Sequence, residues 1–448
     1  MIAARIQEIC GRMGEQTPVL MNPATAVTYG ELLARATALA ADFERRGPST
    51  NSVNAPSPIV VSRSGLADFL VDVVAADTAG VNVILCPSSV GPATVGPVGD
   101  AGGGGEPRVT ILTSGTSGTP KPAHHTWRTL AASVRYDEAL VGARWLMAYD
   151  PARYAGLQVL LQALLSQGVL VSPENLWGGG SPATGASGLP PADAVWNALI
   201  QCGVQFASGT PTFWRMVLHA APPGAKVDVP LSQITLGGEA VDQGLLDALA
   251  ARFPRARISH IYASTEMGVC FSVRDGRAGF PTEYLQPGAL PRCHLRVADD
   301  GELWILPNPQ SAAKNFFRQP ATGNAAEDDW FATGDLVRVE GGRVFFSGRK
   351  SDTINVGGVK VQPVDVEAVI REVDGVAEVC VFGASSSITG QLVAADVCPV
   401  PGVDEDALRR KILSHCRARL PRAMAPAILQ LKREIAADPT GKIGRRSG

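Results

Sequence analysis

The run TSGTSGTPK, Thr113 to Lys121, carries the sharpest chemical signal in the sequence. Thr113, Ser114, Thr116 and Ser117 flank Gly115 and Gly118, and Lys121 closes the run. Glycine lets backbone amides approach an anion closely, and amide hydrogens, hydroxyls and an ammonium can together surround a polyphosphate. The same composition also suits a flexible polar surface loop. Two features favour the phosphate reading. The run follows the apolar stretch VTIL (109–112), and open α/β sheets place their ligands at such strand ends. It also breaks the G-x-x-x-x-G-K-[ST] pattern, because Pro120 stands where the second glycine is required, which excludes a standard P-loop NTPase.

The elements that must position this loop alternate in type. VTYGELLARATALAADFERRG, from Val27, predicts a short strand and then an amphipathic helix with Leu32, Leu33, Ala36 and Leu39 on its apolar face. IVVSR (59–63) reads as a buried strand, 66–79 as a helix stopped by Gly80, and VNVILCP as strand again. Such alternation implies a parallel sheet covered by helices. Residues 88–107 and 177–191 are Gly/Pro-rich and read as a link and an exposed loop. Short strands and turns follow from about 232 to 347. After about 350 comes a small α+β unit, with helices near 364–372 and 404–419 and strands at 376–383 and 391–398.

Composition narrows the classes. The chain has 448 residues, so a prior of about 150 per domain suggests two or three folding units. It is 45% hydrophobic and 18% charged, enough to bury a core, which excludes a mainly disordered chain. Lys and Arg number 40 against 42 acidic residues, so no electrostatic case exists for a nucleic-acid or anionic-membrane partner. Eight scattered cysteines without C-x-x-C predict buried reduced thiols and a cytoplasmic setting; six histidines without ligand spacing argue against structural zinc. The N-terminal MIAARIQEICGRMGEQ lacks a signal-peptide core, and LADFLVDVVAADTAGVNVIL is too polar to span a membrane.

Further stretches, in order, decide the reading. GGEAV (237–241), YASTE (262–266), WFATGDLVRVEGGRVFFSGRKSDTINVGGVKV (330–361) and PTGKIGRR (439–446) join TSGTSGTPK. Together they resemble the adenylate-forming superfamily of acyl-CoA synthetases, peptide-synthetase adenylation domains and luciferases. The likeness runs from VTYGEL at 27 to the last residues. It implies an α/β fold: a large multi-subdomain α/β N-terminal domain (1–350, with the ATP and acyl pocket) and a small mobile α+β C-terminal domain (351–448, with the catalytic lysine).

The resemblance also implies roles. Thr113, Ser114, Gly115, Thr116, Ser117, Gly118 and Lys121 would hold the β- and γ-phosphates of ATP. Thr265 would meet the α-phosphate, and Glu266 would coordinate Mg²⁺, a hard cation that prefers oxygen. Gly237, Gly238 and Glu239 would line the adenine pocket, with Tyr262 offering an aromatic face. Asp335 would accept the ribose hydroxyls, supported by Arg349. Lys442 would bridge the α-phosphate and the substrate carboxylate. Ser351 and Asp352, after Lys350, would form the hinge, and VGGVK (356–360) would face the thiol tunnel.

Several positions depart from the family pattern. Ala263 stands where glycine is usual, and Ser351 where aspartate is common. In LMAYDPARYAGLQVLLQALLSQG (146–168), Arg153 replaces a histidine that gates the carboxylate; it either binds an acidic group or points to solvent. Trp127 falls where a further histidine is frequent, after His124 and His125, read as loop polar groups. FASGTPTFW (206–214) resembles the pocket wall, with Thr210, Pro211 and Phe213 as candidates. The large domain also looks trimmed at its N-terminal part.

The implied function is ATP-dependent activation of a small carboxylic acid, aryl or short to medium acyl, as acyl-AMP. Transfer to coenzyme A or a phosphopantetheinyl carrier protein follows. Two alternatives stay open. One is a free-standing amino-acid adenylation protein, for which Asp150 is the nearest partner to an ammonium. The other is a catalytically silent nucleotide-binding protein, against which Lys121, Glu266, Asp335, Arg349 and Lys442 argue.

Overall fold

The computed structural model describes residues 1–46, 58–62, 65–87, 106–113, 121–174, 190–221, 228–265, 267–308, 330–387, 389–433 and 435. The Gly/Pro-rich stretches expected at 88–107 and 177–191 lie almost wholly outside these residues. An eight-stranded sheet runs in the spatial order Gly268–Val273, Arg257–Ser264, Gln233–Gly237, Phe206–Gly209, Arg144–Leu146, Val169–Val171, Pro18–Met21, Ala26–Thr28. Its six inner strands are parallel, and only the outermost pair at each edge is antiparallel. Parallel strands are covered on both faces, which is why a strand such as Val169–Val171 is apolar and buried at every position.

A second sheet orders Ile59–Val61, Val83–Leu85 and Arg108–Thr113 in parallel, and Lys121–Thr126 returns antiparallel beside the last of them. The helix Leu66–Ala79 crosses between the first two and stops at Gly80, whose φ of 64° only glycine adopts readily. A third, antiparallel sheet takes the order Phe280–Pro281, Arg343–Arg349, Phe331–Glu340, Glu302–Pro307, Cys293–Val297.

The fourth sheet lies wholly beyond residue 353. It pairs Val359–Val361, Ile354–Val356, Gly390–Pro399 and Val376–Ser386, with Ile428–Leu431 alongside Gly390–Pro399. Its core is its own: Ile354, Val366, Ile370, Val381, Val393 and Ile412 pack together. Asp404 caps the helix Glu405–Arg419 by accepting from Ala407 N at 3.0 Å, and acidic residues open it while arginines close it, as the helix dipole favours. This unit meets the larger one where the His219 ring nitrogen Nε2 lies 2.8 Å from the Ala377 carbonyl.

The α/β fold class and the small C-terminal α+β unit are as expected. One element was not expected: Ile2–Met13 is a helix, burying Ile2, Ile6 and Ile9 at helical spacing. All eight cysteines are free thiols and six are buried. Among the described residues, no helix is long and apolar enough to cross a membrane.

Candidate active site

Several strand ends and the start of the helix Tyr154–Leu165 carry the candidate site residues. The first is the pair Arg108–Thr113 and Lys121–Thr126, whose register sets Thr113 opposite Lys121. The phosphate loop therefore leaves and re-enters at one sheet end; its residues Ser114, Gly115, Thr116, Ser117 and Gly118 lie outside the described residues. Lys121 stands exposed at that rim. Along the returning strand the side chains alternate, so Ala123 and His125 turn inward.

His125, read from the sequence as a loop polar group, is instead a buried residue of the strand Lys121–Thr126. It is 7% exposed, its ring lies 5.9 Å from that of Tyr154, and it hydrogen-bonds the Thr265 main chain. Burial drives its pKa down to about 4 against the opposing pull of that bond, so the imidazole is neutral at neutral pH. Thr265, expected at the α-phosphate, is thus within one hydrogen bond of the strand that follows the phosphate loop. Glu266 lies outside the described residues. Tyr154 is pushed up to about 12, chiefly by burial. Trp127, in place of the frequent histidine, is 4% exposed and opens a short helix held by a Thr126–Thr129 capping box.

The second location is the start of the helix Tyr154–Leu165, where Arg153 is the N-cap residue and half-buried. Asp150 builds the turn before it: its Oδ1 accepts from Ala152 N at 2.9 Å, and its carbonyl accepts from Arg153 N at 3.1 Å. A Cβ on Gly156 would collide with that Asp150 carbonyl, so only glycine lets the turn fold back on the helix.

Nearby, the strand Phe206–Gly209 ends in Thr210, which is 1% exposed and caps the helix Pro211–His219 by accepting from Phe213 N. Phe213 is 1% exposed and packs edge-on against Trp214. Thr210 and Phe213, candidates for the pocket, therefore serve as cap and core in this structure. Glu239 of the adenine segment binds the same helix start, accepting from Thr212 N at 2.9 Å and Thr212 Oγ1 at 3.0 Å. Gly237 ends its strand, and Gly238, with φ of 86°, makes the turn that aims Glu239.

The third location is the most ordered. Tyr262, near the end of Arg257–Ser264, stacks with Phe271 and Phe346 at 5.4 and 5.1 Å. Its hydroxyl donates to Asp335 Oδ2 at 2.6 Å, while Arg349 Nε donates to Asp335 Oδ1 at 2.9 Å. Asp335 and Arg349 are direct partners in the antiparallel ladder, so the sheet register itself pairs them. Burial and the Asp335 carboxylate both hold the Tyr262 phenol protonated, well above its usual range. Burial pulls Arg349 down, but Asp335, Tyr262 and Asp352 together raise it above its usual range. Each carboxylate oxygen has a second lone pair, so Asp335 can still accept two hydroxyls. Ala263 sits at an irregularity in the ladder between Arg257–Ser264 and Gly268–Val273.

Beyond Arg349, Lys350–Asp352 form a single 3₁₀ turn, with Ser351 Oγ donating to Asp352 Oδ1 at 2.9 Å. Lys442 lies outside the described residues.

This fold and site define a nucleotide-dependent, adenylate-forming class. The chain belongs to the AMP-binding enzyme family, which matches residues 71–311; the AMP-binding enzyme C-terminal domain matches residues 365–442. Among its relatives is the long-chain-fatty-acid–CoA ligase FadD13 of Mycobacterium tuberculosis. That protein is 25% identical over 358 residues, which cover 76% of this chain and 67% of that one. The nonribosomal peptide synthetase sidE of Aspergillus fumigatus is 28% identical over 364 residues, covering 75% of this chain and 16% of that protein. Among solved structures, the anthranilate CoA ligase AuaEII in complex with anthranoyl-AMP superposes with a TM-score of 0.73 at 16% identity. It covers 99% of this chain and 95% of that one, which establishes the shared fold.

Proposed function

We propose that this chain is an ATP- and Mg²⁺-dependent acid–thiol ligase acting on an aryl or short to medium acyl carboxylic acid. A carboxylate oxygen attacks the α-phosphorus of ATP, the bond to the bridging oxygen breaks, and pyrophosphate leaves. A thiolate of coenzyme A or of a phosphopantetheinyl carrier protein then attacks the acyl carbon and displaces AMP. The observation that carries this reading is the Asp335 carboxylate, fixed by Tyr262 and Arg349 with acceptor capacity to spare for two ribose hydroxyls.

The remaining roles follow that anchor. Thr113 to Gly118 and Lys121 hold the outer phosphates, Thr265 the α-phosphate, and Gly237 to Glu239 border the adenine. Glu266 would be the carboxylate that holds a magnesium ion arriving with the nucleotide, a hard cation that would offset phosphate charge. Lys442 offsets the repulsion between the carboxylate and the polyphosphate. It belongs to a small domain, 351–448, that turns about Ser351 and Asp352 between the two half-reactions. Arg153 at the helix start faces the acid, and the enzyme works in the cytoplasm, where both its nucleotide and its thiol are found.

The aryl or acyl preference is supported by the relatives: one acts on long-chain fatty acids and one structural neighbour holds anthranoyl-AMP. The likeness to a peptide synthetase favours a second reading, an amino acid charged onto a carrier. Asp150, the nearest carboxylate to serve an ammonium, already accepts from Ala152 N with one oxygen. Pyrophosphate release across aryl, aliphatic and amino acids, with and without coenzyme A, tests both. Release with an aryl or aliphatic acid, and thioester with coenzyme A, is expected; release with amino acids alone reverses the order.

A further inference from the structure

Glu302 belongs to none of the roles above, yet it is a 6% exposed carboxylate standing between two parts of the site. One oxygen, Oε1, accepts from Gly334 N at 2.8 Å; the other, Oε2, receives Lys350 Nζ at 3.2 Å. Gly334 immediately precedes Asp335, and Lys350 immediately precedes Ser351. The ladder between Glu302–Pro307 and Phe331–Glu340 slips between Glu302 and Trp304, facing Thr333, Gly334 and Asp335. Within the slipped stretch, Gly334 takes φ of 73°, Thr333 Oγ1 donates to the Leu303 carbonyl at 2.6 Å, and Asp335 N donates to Thr333 Oγ1 at 3.0 Å. Such a bulge re-aims a side chain, here that of Asp335 within it.

Consecutive cations thus divide between two carboxylate sites. Arg349 takes Asp335, while Lys350 takes Glu302 and, at 2.7 Å, Asp300 Oδ2. We infer that Glu302 is a positioning residue that fastens the Asp335 bulge to the hinge lysine, so that the small domain's orientation is felt at the ribose. The inference rests on the reading that Asp335 holds the ribose.

Pyrophosphate exchange on purified full-length Glu302→Ala, Glu302→Gln and Asp335→Ala proteins tests it. Glu302→Ala raises KM for ATP about tenfold with KM for the acid unchanged, the loss expected of one charge-assisted hydrogen bond. Glu302→Gln brings KM for ATP back to within about twofold of the parent, because an amide oxygen still accepts from Gly334. Neither variant holds Lys350 by charge, so single-turnover transfer from preformed acyl-AMP to thiol changes at least about threefold in both.

The inference is overturned if Asp335→Ala raises KM for ATP while Glu302→Ala does not. It is overturned equally if both KM values rise alike, if glutamine fails to rescue, or if transfer rates are unchanged. Should Asp335→Ala leave KM for ATP unaltered, the ribose reading itself fails and takes this inference with it. If Glu302→Ala does not fold, Glu302→Gln decides alone: parental KM for ATP with an altered transfer rate supports the tie, and any other pattern refutes it.

Discussion

The proposed nucleotide end and the proposed acyl end of the site are built on opposite principles. At the nucleotide end, Asp335, Tyr262 and Arg349 aim polar atoms at one another across a sheet ladder, and the central carboxylate keeps acceptor capacity unused. At the acyl end, the polar groups complete the fold. Thr210 caps a helix and Asp150 closes a turn. A nucleotide is the same in every reaction of such an enzyme, so a rigid set of partners suits it. An acid that differs between relatives is better met by shape, with Arg153 at the helix start proposed to contribute charge.

Substitutions can break that contrast, beginning with the largest effect. Asp335→Ala removes acceptors for two hydroxyls; at about 1.5–3 kcal/mol for each bond to a charged group, KM for ATP rises at least about 100-fold. KM for the acid moves little, and a rise in the acid term alone would invert the contrast. His125 gives a pH signature. Its folded-state pKa of about 4 lies below its ordinary 6.5, so the unfolded chain takes up a proton first as pH falls. Its contribution is intact above pH 6.5, and up to about 3 kcal/mol is lost between pH 6.5 and 4. Denaturant titrations across that window show this loss, and His125→Gln flattens it.

Gly156→Ala sharpens the acyl side. The added methyl meets the Asp150 carbonyl, so stability falls by about 2 kcal/mol in a thermal melt and KM for the acid rises more than KM for ATP. Smallest is Tyr262→Phe, which keeps the aromatic stack and removes one donor to Asp335. About 1 kcal/mol is lost, read as a roughly fivefold higher KM for ATP. An unchanged value would mean that Arg349 alone orients the carboxylate.

Local signals in the sequence carried over well. The helix at 66–79 ends at Gly80 because a glycine there permits the left-handed turn, and the strand before the phosphate loop follows from an apolar run. Asp335 and Arg349 were legible through the family pattern; alone, an aspartate after Gly334 reads as a turn residue. The Ile2–Met13 helix was missed although Ile2, Ile6 and Ile9 recur on one face. His124 and His125 look alike in sequence, and only the alternation of a strand starting at Lys121 separates the inward one. Thr210 and Phe213 were singled out through the family pattern, while their cap and core roles depend on the fold. Glu302 could not be assigned in advance, since its partner Gly334 is 32 residues away and depends on a slipped register.

Acid-dependent exchange of labelled pyrophosphate into ATP, comparing the parent chain with Lys442→Ala, reaches the central claim most directly. The account predicts exchange by the parent only when a suitable carboxylic acid is present. The variant should retain ATP binding by calorimetry but exchange about 100- to 1000-fold more slowly. Exchange by the variant at the parental rate, or none by the parent with any acid, would contradict it.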